Sequence, residues 1–280
     1  MSKFAAIQMG SGSQVSANLL AAERLIAEAV TQGAEFVVLP ENFALMGKTE
    51  QDKLAVAESP DDGGPLQDFL SEQARRHGIW LCGGTIPLAS EDPDRVYAAS
   101  LLFDAEGREV MRYDKIHLFD VQLVGSGERY TESETIVCGD AVKVVDSPFG
   151  RIGVAVCYDL RFPEMFREML DQGAEIVLLP AAFTDITGRA HWEILLRARA
   201  IENLCYIVAA GQGGYHVSGR TTYGHSMIVD PWGGIVAQQA SSSPGVILGE
   251  VEVDYLQSTR KRFPAIDHRR LRLGNRVKMD

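Results

Sequence analysis

One stretch of the sequence occurs twice, 140 positions apart, in a chain of 280 residues. It reads QGAEFVVLPENF at residues 32–43 and QGAEIVLLPAAF at residues 172–183. Each copy contains a short apolar run bounded by Gly and Pro, which is the pattern of a buried strand. After the shared Leu-Pro pair, the first copy has Glu41 and the second has Ala181. The repeat predicts two halves that are built alike but carry different chemistry at an equivalent position.

The segments around this repeat follow the same order in both halves. In the first half, a strand-like run at 3–9 precedes a helix pattern with Ser16 as its N-cap, Leu20 on its buried face and Gly33 as its stop. The strand EFVVLP, the helix LQDFLSEQARRHG and the strand IWLCGG follow. The second half repeats the series as RIGVAVC, PEMFREMLDQG, EIVLLP, HWEILLRARAIEN and LCYIVAAG. The sequence therefore predicts a pair of βαβαβ units.

Hairpin patterns complete both halves. SLLFDAEGREV at 100–110 and SMIVDPWGGIV at 226–236 share Ser, Asp, Gly and Val at matching offsets, and each turns at a Gly. Two β-α-β-α-β-β halves each leave an apolar sheet face to bury, so the simplest α/β arrangement is a four-layer αββα sandwich. A single open doubly wound sheet would explain the alternation but not the paired hairpins. We expect one domain over residues 1–280, with a C-terminal tail from about residue 256.

The composition is that of a globular protein, with 46% hydrophobic and 23% charged residues. A net charge of -11 argues against a nucleic-acid partner, so the basic C-terminal segment RKRFPAIDHRRLRLGNR is interpreted as a solvated or interface-forming tail. No window approaches the ~20 apolar residues that span a bilayer, and the N-terminal apolar run is too short for a signal peptide. We therefore expect a cytoplasmic protein that binds neither membranes nor nucleic acid.

Cys157 is the cysteine whose sequence context suggests a nucleophile. It closes the apolar strand RIGVAVC and precedes YDLRFPE, so its sulfur should emerge where the chain leaves the sheet, the region where α/β sheets bind ligands. The alternative is a buried core cysteine, which is the interpretation we give to Cys82 and Cys205. All four cysteines, including Cys138, lack CxxC spacing and are expected to be free thiols.

Two further residues could activate this thiol. Glu41 ends the matching strand of the other half, and in a two-sheet stack the ends of equivalent strands can converge on one pocket, where the carboxylate could act as a base. A surface or helix-capping glutamate is the alternative. Lys115, in RYDKIHLFD, could stabilise a thiolate and a tetrahedral oxyanion, or could be a solvated lysine. The coincidence of the three residue types favours nucleophilic catalysis over each separate alternative.

Other common site patterns are absent from the sequence. There is no GxSxG serine elbow, no GxGxxG dinucleotide loop and no HxH or HExxH metal motif among the six histidines. We interpret the histidines as structural, so no metal site and no cofactor are predicted.

The blocks LPENF, YDKIHLFD and GVAVCYDLRFPE resemble the Glu, Lys and Cys motifs of the nitrilase superfamily of carbon–nitrogen hydrolases, and the similarity covers essentially the whole chain. The resemblance implies that Cys157 attacks an amide carbonyl and that Glu41 shuttles the proton to the leaving amine. It also implies that Lys115 and the backbone N–H of Tyr158 hold the oxyanion, and that water hydrolyses the resulting thioester. No cofactor or metal is implied.

The same resemblance implies a second glutamate in the pocket and a set of substrate-binding residues. Glu132 in TESET fits the second glutamate, with Glu128 in GSGERY as the competing choice. Arg161 matches a position that anchors a substrate carboxylate, and Phe183 and Thr187 match positions that line the pocket. A structural ion pair of Arg161 with a neighbouring acid is the alternative role of that residue.

LPAAFTDITGRAHWEILLRARAIEN and RTTYGHSMIVDPWG are most similar to the deaminated glutathione amidases of this superfamily. We therefore expect an amidase acting on a small carboxylate-bearing amide, releasing 2-oxoglutarate and Cys-Gly from deaminated glutathione. The alternatives are an ω-amidase acting on 2-oxoglutaramate, an N-carbamoyl amino acid hydrolase, and an inactive interaction module on the same fold. The family resemblance also implies a homodimer or larger homo-oligomer.

Overall fold

The computed structural model describes residues 1–123 and 127–272, and the strand at 275–276. The first half contains β1 (Ser2–Gln8), α1 (Val15–Thr31), β2 (Phe36–Val38), α2 (Pro65–His77), β3 (Trp80–Cys82), β4 (Ile86–Ala89), β5 (Val96–Phe103) and β6 (Glu109–Asp114). A connecting segment follows, with the short strands β7 (Asp120–Gln122), β8 (Arg129–Thr131) and β9 (Ile136–Val137).

The second half continues with β10 (Val144–Ser147), β11 (Gly150–Val154), α3 (Pro163–Asp171), β12 (Ile176–Ala181), α4 (Asp185–Asn203), β13 (Tyr206–Gly211), β14 (Gly213–Tyr215), β15 (Thr221–Tyr223), β16 (Met227–Val229) and β17 (Ile235–Gln238). The chain then forms β18 (Gly245–Val251), α5 (Val253–Arg262), β19 (Leu271–Arg272) and β20 (Asn275–Arg276). Short 3₁₀ helices lie at Glu50–Val56, Glu132–Glu134 and Cys157–Arg161.

The two halves form separate sheets with equivalent topology. The first sheet has the order β18-β1-β2-β3-β5-β4, with β6 and β9 also paired to β5, and the second has the order β10-β11-β12-β13-β16-β17. Parallel pairing joins β1, β2 and β3 in the first sheet and β11, β12 and β13 in the second. The predicted β-α-β-α-β-β order is thus present twice, and the alternative of one continuous doubly wound sheet is wrong.

The sheets stack face to face with helices on their outer sides, as the αββα prediction requires. Ala5, on β1, belongs to an apolar cluster with Ile26 of α1 and Leu70 of α2. Its neighbour Phe4 points the other way, into a cluster with Ile152 of the second sheet. This alternation follows from the period of two along a strand, and it gives each sheet one face toward helices and one toward the other sheet.

Four aromatic side chains mark the contact between the sheets. Phe4, Phe36 and Trp80 occupy one register line across the parallel strands, and the rings of Phe4 and Phe36 stack with centroids 4.7 Å apart. Phe149, in the turn between β10 and β11, presents its ring roughly perpendicular to all three. Edge-to-face packing of this kind favours a single orientation of the two sheets.

The two predicted hairpins form, and an aspartate stabilises each turn. Asp104 accepts hydrogen bonds from the backbone N–H groups of Glu106 and Arg108 in the β5–β6 turn. Asp230 accepts the equivalent pair from Trp232 and Gly234 in the β16–β17 turn. The Asp shared by the two repeats therefore has one local role in both halves.

Helix α1 differs in detail from its sequence pattern. It begins at Val15, so Ser16 lies inside the helix instead of capping it, and Leu20 is 67% exposed. The buried face contains Ala22 and Leu25 instead, because the helix packs against α2 as well as against β1 and β18 of its own sheet. At the other end of the chain, the predicted tail begins within α5, and the side chain of Leu256 is buried in the core.

Candidate active site

Glu41, Lys115 and Glu132 form a buried ionic cluster near the carboxyl ends of the first sheet's parallel strands. The Lys115 ammonium donates to Glu41 Oε1 at 2.8 Å and to both carboxylate oxygens of Glu132 at 2.8 Å. The side chains of Lys115 and Glu41 are 1% and 4% exposed, so this is a desolvated cluster and not a surface ion pair. Removing one partner from such a cluster leaves an uncompensated buried charge, which is strongly unfavourable.

The ionic cluster determines the protonation of its members. Burial by itself would lower the pKa of Lys115, but Glu132 and Glu41 outweigh it, and the pKa of the ammonium is raised well above its usual value. Burial by itself would raise the pKa of Glu132, but Lys115, Lys53 and the Phe119 backbone N–H outweigh it, and that pKa is lowered. These shifts favour the charged forms of Lys115 and Glu132, and the ammonium is held between Glu132 and Glu41.

Cys157 lies in the same cavity as this cluster. A narrow cavity of about 30 Å³, which we call the triad pocket, is lined by Glu41, Lys115, Glu132 and Cys157. Cys157 has a φ of +48°, in the left-handed region that non-glycine residues rarely adopt, and it begins the 3₁₀ helix that leads into α3. Strained backbone of this kind is concentrated at functional sites, where the surrounding structure enforces it.

The surroundings of Cys157 favour the protonated thiol over the thiolate. Burial and the charge of Glu41 raise its pKa far above the usual range, and Lys115 and a backbone hydrogen bond with Ala182 offset this only in part. A thiol in this state needs a base at the moment of attack. The carboxylate of Glu41 lies in the same cavity and can accept that proton.

Asp159 holds the loop that presents Cys157. This carboxylate is fully buried and accepts hydrogen bonds from the Val156 backbone N–H at 2.8 Å and the Tyr113 hydroxyl at 2.7 Å. His117 contributes its backbone N–H and lies 2.7 Å from the same carboxylate through Nδ1. The network joins the segment that carries Lys115 to the segment that carries Cys157. The sequence patterns did not predict this role, because Tyr113 and His117 lie more than 40 positions from Asp159 in the chain.

The two candidate glutamates lie in different places. Glu132 contacts Lys115 and accepts the Phe119 backbone N–H at 2.7 Å. Glu128 lines a larger outer cavity of about 530 Å³ and accepts a hydrogen bond from the Tyr130 hydroxyl at 2.6 Å. The geometry therefore favours Glu132 as the second pocket glutamate.

The candidate substrate-binding residues share one small pocket with the cysteine. This inner pocket, about 10 Å³ in free volume, is lined by Cys157, Tyr158, Arg161, Phe183 and Thr187 among others. The inner and triad pockets have Cys157, Phe119 and Arg220 in common, and the triad pocket in turn shares residues with the outer cavity. The three spaces form a continuous region around the thiol.

Within the described residues, Arg161 forms no ion pair with a neighbouring acid, which was the alternative role for it. Its Nη1 lies 3.1 Å from His191 Nδ1, and its guanidinium lies over the Tyr158 and Phe183 rings at 5.7 and 5.0 Å. Asp159, an acid close to Arg161 in sequence, accepts hydrogen bonds from other donors instead. Arg220 also lines the inner pocket but was not among the residues predicted for the site. It is the first residue of the block RTTYGHSMIVDPWG, which carried the family resemblance without assigning Arg220 a role in the site.

Neither a metal-binding cluster nor a membrane-spanning helix occurs among the described residues. The described residues contain no group of three or more His, Cys, Asp or Glu side chains arranged to hold a metal ion. Across the same part of the chain, no helix combines the length and apolar character needed to cross a bilayer.

Comparison with known proteins assigns the family. The family model for carbon–nitrogen hydrolases matches residues 3–261. The chain belongs to the carbon–nitrogen hydrolase family. This hydrolase is 45% identical over 267 residues to a deaminated glutathione amidase from Yersinia enterocolitica, an alignment that covers 95% of the chain and 92% of the relative.

Solved structures agree with this assignment. Nit3 from Saccharomyces cerevisiae, a member of the nitrilase superfamily, has a TM-score of 0.86 and 32% identity, over 96% of this hydrolase and 97% of Nit3. The amidase from Nesterenkonia sp. AN1 has a TM-score of 0.76 and 27% identity, over 94% of this hydrolase and 98% of that chain. In that structure, acrylamide has added to the active-site cysteine. The sandwich predicted from the repeat is thus confirmed as the fold of this superfamily.

Proposed function

We propose that this carbon–nitrogen hydrolase cleaves deaminated glutathione to 2-oxoglutarate and Cys-Gly through a thioester on Cys157. The observation that carries the chemistry is the shared cavity of the Cys157 thiol, the Glu41 carboxylate and the Lys115 ammonium. The choice of substrate is supported by relatives such as the Yersinia enterocolitica deaminated glutathione amidase, which is 45% identical over nearly the whole chain.

In the proposed first step, the thiol proton passes to Glu41 as the Cys157 sulfur attacks the amide carbonyl carbon. The carbonyl oxygen becomes an oxyanion, for which the Lys115 ammonium and the Tyr158 backbone N–H are the proposed donors. Lys115 suits this role because its raised pKa keeps it charged and Glu132 holds it from the other side. A preorganised cation in a dry site stabilises developing negative charge without having to reorient.

In the second half of the proposed cycle, Glu41 returns its proton to the amide nitrogen, the carbon–nitrogen bond breaks and Cys-Gly leaves. Water then gives a proton to Glu41 and attacks the thioester carbonyl, and collapse of the second tetrahedral intermediate returns the proton to sulfur. The outer cavity of about 530 Å³ has room for a departing dipeptide, whereas the pockets beside the thiol do not.

The acyl chain is proposed to enter the inner pocket, with its carboxylate toward Arg161. The guanidinium is a charge-assisted donor held over two aromatic rings, and Phe183 and Thr187 line the same space. An acidic protein with a net charge of -11 requires such a local cation to bind an anionic substrate.

A homodimer or larger homo-oligomer is the proposed assembly, and the cytoplasm the proposed compartment. Exposed apolar side chains occur on α4, at Ile194 and Ile201, and Trp232 packs on Phe263 where both are about half exposed. This exposed apolar surface is the basis of the proposed assembly, because exposed apolar patches mark interaction sites. The four free cysteines agree with a reducing environment.

A comparison of three substrates tests this proposal. Purified enzyme is given deaminated glutathione, 2-oxoglutaramate or an N-carbamoyl amino acid, and kcat/KM is measured for each beside the Cys157→Ala variant. We expect the highest kcat/KM for deaminated glutathione and no turnover by the variant. Preference for 2-oxoglutaramate or for a carbamoyl substrate would overturn the choice of substrate, and undiminished turnover by the variant would overturn the mechanism.

A further inference from the structure

Arg220 lies where the three cavities around the active site meet. Its side chain lines the inner pocket, the triad pocket and the outer cavity. It belongs to the turn between β14 and β15, which is fixed to the wall of the inner pocket because the Tyr223 backbone N–H donates to the Phe183 carbonyl at 2.9 Å. His216 anchors the same turn by donating its backbone N–H to the Arg220 carbonyl at 2.9 Å. The arginine is therefore held at the site by its backbone.

The Arg220 guanidinium has a donor that no described residue satisfies. Nη2 donates to the Ala182 carbonyl, and the group lies over the Tyr130 ring, 5.1 Å from its centroid. Nε is buried and has no hydrogen-bond acceptor within the described residues. Native proteins rarely leave a buried donor unpaired, because the lost hydration is not recovered. An unsatisfied N–H beside a catalytic thiol is a position for a ligand oxygen.

The inner pocket contains two guanidinium groups and no carboxylate among its described lining residues. Arg161 and Arg220 each form no salt bridge within the described part of the chain, and their nearest polar contacts are a histidine nitrogen and a backbone carbonyl. The acidic residues of the triad pocket are already paired, Glu41 and Glu132 to Lys115 and Glu50 to Lys53. The pocket therefore has an uncompensated positive charge.

We propose that Arg220 donates a hydrogen bond from Nε to the 2-oxo group of the acyl chain, so that the inner pocket selects 2-oxo acyl chains and rejects 2-amino acyl chains. The inference rests on the proposed function, which places the neighbouring carboxylate at Arg161. A ketone and a carboxylate on adjacent carbons present oxygen acceptors to two guanidinium groups.

An ammonium group at the same carbon would face two cations and find no acid, and such repulsion is an effective means of discrimination. The enzyme would thereby spare ordinary glutathione, which differs from the substrate at that carbon.

Entry of the acyl chain requires Arg220 to move. The free volume of the inner pocket, about 10 Å³, is that of a single water molecule. The adjoining outer cavity of about 530 Å³ gives the side chain space to shift as the chain enters. The movement would exchange the contact with Tyr130 or with the Ala182 carbonyl for one with the substrate.

Three substrates that differ only at the second carbon of the acyl chain test the proposal. They are the Cys-Gly amides of 2-oxoglutarate, glutarate and L-glutamate, the last being glutathione. We expect Arg220→Gln to lower kcat/KM for the 2-oxo substrate by roughly 10- to 100-fold and for the glutaryl substrate much less, because only the former has the acceptor.

The Arg220→Lys variant, which keeps the charge, should retain part of the rejection of glutathione. Arg24→Gln, which removes an exposed arginine on α1, is the matched control. An equal loss on all three substrates, or no loss, would overturn the proposal.

A binding measurement separates this inference from the proposed reaction. In the Cys157→Ala background, calorimetry compares free 2-oxoglutarate, glutarate and L-glutamate with and without Arg220→Gln. Tighter binding of 2-oxoglutarate that disappears in Arg220→Gln supports the inference, even if deaminated glutathione proves not to be the substrate. Equal binding of 2-oxoglutarate and glutarate by the parent protein would overturn the inference, even if turnover of deaminated glutathione is rapid.

Discussion

Glu41 and Ala181, which follow the same Leu-Pro pair in the two halves, are joined by hydrogen bonds to a single residue. Gln212 donates its backbone N–H to the Ala181 carbonyl at 2.8 Å and its side-chain amide to the Glu41 carbonyl at 3.0 Å. The two copies of the repeated strand therefore meet at their ends. One copy supplies the proposed base, and the other supplies a small buried residue and a backbone acceptor.

Replacing Gln212 should loosen the proposed base and destabilise the fold. Gln212 is fully buried and also exchanges hydrogen bonds with Ser11, at 3.0 and 2.8 Å. We expect Gln212→Ala to lower the free energy of unfolding by about 2–4 kcal/mol and to lower kcat more than it raises KM. Urea denaturation and steady-state kinetics measure the two effects. Gln257→Ala, at an exposed position, is the control. A free energy of unfolding and a kcat equal to those of the wild type in Gln212→Ala would refute this role.

Removing the Lys115 ammonium should cost roughly 10²- to 10³-fold in kcat, because the proposed oxyanion would lose a preorganised cation. Lys115→Met also leaves Glu41 and Glu132 without their shared partner, so thermal unfolding must be followed in parallel. Lys115→Arg keeps the charge and separates loss of folding from loss of catalysis. Lys143→Met, at an exposed lysine, serves as the control. A Lys115→Met protein that is folded and within a few-fold of wild-type kcat would contradict the role.

The resting Cys157 thiol should show no thiolate plateau at neutral pH. Burial and Glu41 raise its pKa, so the thiolate fraction, and with it the rate of alkylation by iodoacetamide, should climb continuously from about pH 6 to 9. The experiment uses the Cys138→Ser background, because Cys138 is the exposed cysteine among the four. A rate that is already constant near pH 7 would indicate a preformed thiolate and a different proton path.

Acid should destabilise the protein partly through Glu132. Its pKa is lowered in the folded state, so its contribution to stability is present above the unfolded value near 4.5 and is lost as the pH falls through the folded value. The Tm of the wild-type protein should therefore fall more steeply below about pH 4.5 than the Tm of Glu132→Gln. Parallel curves for the two proteins would show that the Lys115–Glu132 pair does not contribute to acid sensitivity.

The sequence predicted the architecture well because its apolar residues are periodic and the same order of segments occurs in both halves. The copies of QGAE-x-V-x-LP became β2 and β12, and Glu41 lines the triad pocket whereas Ala181 is not among its lining residues. The phase of α1 was predicted less well. Leu20 is exposed and Ala22 is buried, since packing against two other elements, and not apolarity alone, determines which face of a helix is covered.

Residues that act through distant partners were beyond the sequence patterns. Gln212 stands in a GQGG run that matches no functional motif, and its bond to Glu41 spans 171 positions. Asp159 and Arg220 lie within blocks that indicated the family, but their contacts appear only in the folded chain. Short motifs identify reactive side chains, whereas the groups that hold those side chains are visible only once the two sheets are stacked.

The most direct test of the thioester mechanism is to trap the acyl group on the enzyme. Wild-type protein is mixed with deaminated glutathione, quenched in acid during turnover and digested, and the peptides are analysed by mass spectrometry. The thioester mechanism predicts one 2-oxoglutaryl group on the peptide that contains Cys157 and none in the Cys157→Ala protein. This variant should also release no 2-oxoglutarate. An acyl group on another residue, or hydrolysis by Cys157→Ala at the wild-type rate, would contradict it.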